Sequence, residues 1–206
     1  MKVKSFDQNL QNILVLISKM SDLALESVDI IEKAIDSNDS LVNKAFEHDD
    51  KINQFNADIE KEVLNFISSN QSKAEEIKFA ICALKSTTNL ERIGDYAKKA
   101  VKLISRSDVA KTYVDDLKEM LKLAKNMIKT ASDSLINIDL NKANEVLEKD
   151  DEIDAIYQAI FKSSKKQNLN DNSPIFIDTI FIAKAIERLA DHAVNISAII
   201  NYYHKN

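Results

Sequence analysis

The sequence predicts an all-α protein of six long helices, arranged as two tandem, structurally similar three-helix bundles. Three observations carry this expectation. The 206-residue chain holds one Gly and one Pro, so it lacks the residues that make the tight turns of a multi-stranded fold. Apolar residues recur at helical spacing through six blocks. The features of the first half then recur in the same order in the second, which predicts one unit over 1–106 and another over 107–206.

The six blocks lie near 5–36, 40–69, 73–105, 111–137, 140–166 and 174–204. Their breaks have local causes. Asp36-Ser37-Asn38-Asp39, Ser68-Ser69-Asn70-Gln71-Ser72 and Asn168-Leu169-Asn170-Asp171-Asn172 are runs whose side chains compete with helix by bonding their own backbone. Ser173-Pro174 reads as an N-cap followed by proline at the first helical position. The duplication shows best around the second and third helix of each half. Ala45 to Asn53 aligns with Val146 to Asp154 at an offset of 101, and Glu91 aligns with Glu187 at an offset of 96. A period of about 100 residues is too long for a solenoid repeat, and each half is long enough to bury its own core. In an up-down-up bundle the second and third helices are antiparallel neighbours.

Charge and cysteine content narrow the partners. With 30% charged and 45% apolar residues, each helix has a buried stripe and a wet remainder, as in a soluble protein. A net charge of -5 without a basic stripe argues against nucleic acid. Cys82 is the single cysteine, which rules out a disulfide framework and a thiolate metal site, fits a reducing cytoplasm, and reads as a small buried helix residue. The apolar run Ile13 to Ile17 is too short for a signal-peptide core or a membrane span, so no direct membrane insertion is expected.

The chemistry is concentrated in acidic pairs. Glu91-Arg92-Ile93-Gly94-Asp95 and Glu187-Arg188-Leu189-Ala190-Asp191 each place two carboxylates four residues apart, about 40° around the helix. Like charges on one face repel, so a repeated pair calls for a counter-charge, most simply a metal ion. Asp150 and Asp154 form a further pair on the fifth helix, and if the faces meet, four carboxylates converge with Glu187 and Asp191, with no Lys or Arg at the same register. Oxygen-only ligation suits Mg, Ca, Mn or iron, and does not suit a structural Cys/His zinc site. The first-half set is Asp49, Asn53, Glu91 and Asp95; its amide replaces one carboxylate, so it should bind metal less tightly.

Taken alone, Asp150-Asp151-Glu152 reads as a solvated face; two matched pairs in two halves outweigh that. Arg92 and Arg188 are either surface residues with helix-stabilising partners or supports holding the acids from an adjacent face. Gly94 in a helix interior costs about 1 kcal/mol relative to Ala, which points to close helix approach or room for a ligand. His48 and His204 read as ordinary surface residues, and His192 has only Tyr96 as its counterpart. A di-iron oxidase needs Glu-x-x-His motifs, absent from this sequence with its three histidines, and a multi-histidine hydrolase fails likewise. The chain is read as not an enzyme. A non-enzymatic helical metal-binding or adaptor protein is the structural alternative.

At Leu90 to Asp95 and Ile186 to Ile196, with Asp49-x-x-Ile52-Asn53 and Asp150-x-x-Ile153-Asp154 upstream, the sequence resembles the PhoU family of phosphate-specific transport system accessory proteins. The resemblance covers essentially the whole chain. It implies paired three-helix bundles, surface metal clusters on the acidic pairs (divalent or trivalent ions such as iron, Mn, Mg or Zn), homodimers, and a cytoplasmic role in shutting down phosphate-starvation signalling. The implied partners are a phosphate-sensing histidine kinase and the ATPase of a phosphate ABC transporter. Where the family often has His and Asn after the first-half Asp, this chain has Tyr96 and Lys99.

Overall fold

The computed structural model describes residues 8–37, 41–68, 73–107, 109–165 and 173–205. Six α-helices follow one another: α1 (Gln8–Asp36), α2 (Val42–Ser68), α3 (Ala74–Ile104), α4 (Val114–Asn137), α5 (Leu140–Ser164) and α6 (Ser173–Lys205). A 3-10 turn, Lys111–Tyr113, leads into α4. No strand occurs among the described residues. The polar runs expected to break the helices fall largely at 38–40, 69–72 and 166–172, outside the described residues.

Local chemistry places several ends. The Glu76 carboxylate accepts the backbone N–H of Lys73 at 3.0 Å and closes the start of α3. α4 ends at Ile138, whose φ of 53° is left-handed, and Asp139 then caps α5 by accepting from the backbone of Asn141 and Lys142. Two residues thus reverse the chain between α4 and α5. α6 starts at Ser173, one residue before the expected first helical position.

α2 packs on α1 and α3, and α5 packs on α4 and α6, giving the two matching three-helix units. They do not stand apart. α3 lies against α6 and α1 against α4, so these four helices form a closed ring with α2 and α5 on opposite outsides. One hydrophobic core runs through both halves, from Leu10, Ile13 and Ile17 through Phe79, Leu90 and Ile93 to Ile186, Leu189 and Ile196, each with no exposed surface. Each half is long enough to bury a core of its own, yet the core is shared, because the inward stripes of α3 and α6 are wide enough to pack on both neighbours. Polar contacts cross the seam as well. Lys125 pairs with Asp29, Lys118 with Asp36, and Lys78 donates to the carbonyl of Tyr203 at 2.5 Å.

Candidate functional site

The acidic pairs stand where α2 meets α3 and where α5 meets α6. At the first junction, Gly94 allows the helices to approach closely: a Cβ there would lie 2.8 Å from Ile52 Cδ1 and 3.7 Å from Asp49 Oδ1. Ile52 and its counterpart Ile153 are fully buried and anchor the register. One turn away, Asp49 and Asp150 point at the acidic pairs of the third helix in each unit. Of the two readings of Gly94, close helix approach is the one found.

In the first half Asp49 is 4% exposed, and Lys98 reaches in from α3 to pair with it and, at 3.1 Å, with Asp95. Asn53 donates to Asp49 at 3.4 Å. Arg92 ion-pairs with Glu91 and Asp95, both at 3.4 Å. Burial pushes the Glu91 carboxyl above its ordinary value, with Asp95 and Asp49 adding to the rise. Burial by itself would depress Lys98, yet its hydrogen bonds to Asp49 and Asp95 hold it above its ordinary value.

In the second half Asp150 is raised, first by burial and then by the negative charges of Asp154, Asp191 and Asp151. This mutual repulsion is the electrostatic sign that the pairs from α5 and α6 converge. Glu187 is 7% exposed and also raised by burial, with Asp191 adding to the effect. Lys184 donates to Glu187 at 2.5 Å and Arg188 to Asp191 at 2.8 Å. The expected absence of basic residues at this register is therefore corrected. Both cations sit on α6 three residues from their acids, a spacing that brings side chains together on a helix surface. The central position differs between the halves: Lys98 aligns with Val194 at the offset of 96. Arg92 and Arg188 are exposed and pair with the acids of their own helix, a geometry that both of their readings share.

Three buried carboxylate oxygens, Asp49 Oδ1, Asp150 Oδ1 and Glu187 Oε2, make no hydrogen bond. Such oxygens are costly to bury and are ready to take a cation. Among the described residues no three His, Cys, Asp or Glu side chains are drawn together as a formed metal site; Lys98, Lys184 and the two arginines lie between and beside the acids. The donor set is still all oxygen, and so fits a hard cation.

The histidines divide differently from expectation. His48 is 6% exposed, with Nε2 3.8 Å from Glu26 of α1, because α2 turns it inward beside Asp49; its reading as a surface residue is corrected. His204 is exposed, with Nε2 3.2 Å from the Ile138 carbonyl. His192 faces the opposite unit, its Nδ1 3.0 Å from Asn89 Oδ1 and its ring 5.6 Å from that of Tyr96. Burial lowers its pKa. Cys82 is buried, as expected, which raises its thiol. Lys98 and Lys184 were missed in the sequence; the spacings Asp95–Lys98 and Lys184–Glu187 were the available signal.

The fold and site thus define a duplicated helical protein with one acidic cluster per repeat. The PhoU domain family matches residues 17–104 and 117–200, one copy on each unit, and the chain belongs to that family. A phosphate-specific transport system accessory protein PhoU homolog of Caulobacter vibrioides is 30% identical over 206 residues, covering 97% of this chain and 90% of its own length. The homolog of Zymomonas mobilis is 31% identical over 207 residues, covering 97% and 86%. Among solved structures, PhoU from Pseudomonas aeruginosa superimposes with a TM-score of 0.89 at 24% identity, covering 96% of this chain and 97% of the other. The phosphate transport system regulatory protein PhoU from Streptococcus pneumoniae gives 0.82 at 25% identity, with 95% and 94% covered.

Proposed function

We propose that this chain is an accessory protein of phosphate transport that restrains phosphate-starvation signalling, and that it acts as a metal-bearing docking scaffold and not as an enzyme. The observation that carries the reading is the family match on both repeats, placed on acidic clusters in which buried carboxylate oxygens make no hydrogen bond. Asp150, Asp154, Glu187 and Asp191 would hold a divalent or trivalent cation such as iron, Mn, Mg or Zn. Asp49, Asn53, Glu91 and Asp95 would hold one more weakly, because Asn53 brings no charge and Lys98 already serves as an internal counter-ion. The bound ion supplies positive charge that settles the acids and shapes the outer face of each repeat.

The partners in this reading are the phosphate-sensing histidine kinase and the ATPase of the phosphate ABC transporter, with a homodimer as the working form in the cytoplasm. No described helix is long and apolar enough to cross a membrane, so membrane-associated partners would bring the chain to the bilayer. Phe46 and Leu147, 41% and 38% exposed at matching positions of α2 and α5, offer apolar contacts beside each cluster. Deleting the gene tests the reading. Phosphate uptake and alkaline phosphatase expression should then stay on in phosphate-rich medium, and a Glu187→Ala/Asp191→Ala pair should weaken the restraint while His204→Ala leaves it intact. Normal repression in the deletion strain would refute the phosphate role and leave the metal-binding adaptor.

A further inference from the structure

We infer that the groove between the C-terminal half of α3 and the N-terminal half of α6 is a binding site for a nucleoside polyphosphate. The groove has a volume of about 600 Å³, within the range of small-molecule sites. Five cations line it: Lys99 and Lys102 from α3, Arg106 from the turn just after it, and Lys184 and Arg188 from α6, with no acid among the lining residues. Lys99, Lys102 and Arg106 form a short run in the sequence, and antiparallel packing of α3 on α6 adds Lys184 and Arg188 from about 80 residues further along the chain.

Three of the five cations already have acidic partners and two do not. Lys184 and Arg188 also serve the acids of the second cluster, and Lys99 stands 3.9 Å from Asp95. Lys102 and Arg106 are exposed and have no acidic partner among the described residues. In a chain of net charge -5, such a cluster focuses a field that favours anions.

Duplication supplies an internal comparison. At the offset of 96, Lys99, Lys102, Arg106 and Lys184 correspond to Asn195, Ala198, Tyr202 and Thr88, and only Arg188 keeps a cation, at Arg92. The fold therefore does not require the cations, and they collect on one side of the pseudo-symmetric pair.

The walls identify the ligand class. Leu103 and Ala185 give the groove an apolar floor, and Tyr96 and Phe181 stand beside it, Phe181 being 57% exposed. A bare phosphate would use the charges and leave the apolar floor and the aromatic edge wet. A nucleoside polyphosphate satisfies both, its base against the aromatic edge and its phosphates on the Lys and Arg side chains.

Isothermal titration calorimetry of the full chain with ATP tests the assignment. EDTA is included, so that no metal can carry the nucleotide to the acidic clusters. One saturable site is expected below about 1 mM, with affinity falling about tenfold or more in Lys102→Glu/Arg106→Glu. These residues are exposed, and circular dichroism checks the fold. Phe181→Ser should weaken ATP but leave tripolyphosphate unchanged, and Lys85→Glu, at the position matching Phe181, should leave ATP binding as it was. Absence of saturable ATP binding, indifference to the double charge reversal, or competition by tripolyphosphate or a Glu-rich peptide as effective as ATP itself would overturn the proposal.

Discussion

Replacing Lys98 by Met removes the internal counter-ion of the first cluster while keeping an apolar stem beside Phe46, whose ring lies 5.6 Å from the ammonium. The Asp49 side chain is 5% exposed and that of Lys98 21%, so the variant leaves a buried carboxylate with only Asn53 and water at its edge. Breaking a buried pair from one side costs about 3–5 kcal/mol. The partial exposure of Lys98 reduces that to about 2–3 kcal/mol. For a chain of this length each kcal/mol lowers Tm by roughly 2–4 °C, so melting in EDTA should fall by roughly 4–12 °C. Metal should narrow the gap. At an effective dielectric of about 20, charges about 4 Å apart interact by about 4 kcal/mol. Removing a repelling ammonium should therefore tighten Mn or Mg binding by about tenfold or more even after screening. Thermal melts of both proteins with EDTA and across a metal titration measure the two effects. An unchanged Tm in EDTA, or a variant that gains no more from metal than the parent does, would refute the counter-ion account.

Elemental analysis should show Asp191→Ala losing more bound metal than Asp95→Ala; retention in the former with loss in the latter would reverse the proposed ranking of the repeats. The raised carboxyls of Asp150, Glu187 and Glu91 favour the protonated form in the folded state, so their stabilising contribution is complete below the unfolded values of 3.8–4.5 and is lost as pH rises through the higher folded values. Metal-free Asp150→Asn should consequently melt above the parent at pH 7 and lose that advantage near pH 4, while metal affinity of the parent falls on acidification; equal melting at pH 7 would contradict the repulsion. Gly94→Val should destabilise by about 1–3 kcal/mol through overpacking against Ile52, as read by urea denaturation, and a stability equal to the parent would show that α2 can yield.

The helical class, the six elements and their pairing into two units follow from local properties, and so were legible in the residues themselves. A chain with one Gly and one Pro has no means of turning often, and helical periodicity records which stripe of each helix is buried. The acidic pairs were legible for the same reason, since residues four apart on a helix share a face whatever lies around it. Tertiary structure decided the rest. That Lys98 sits between Asp49 and Asp95 depends on the close passage of α2 over Gly94, which joins residues 49 positions apart. The inward turn of His48, the single core shared by both halves and the gathering of Lys99, Lys102 and Arg106 with Lys184 and Arg188 all depend on how α1, α3, α4 and α6 close into a ring. Periodicity states that a face is buried; only packing states against what, and therefore which charges meet.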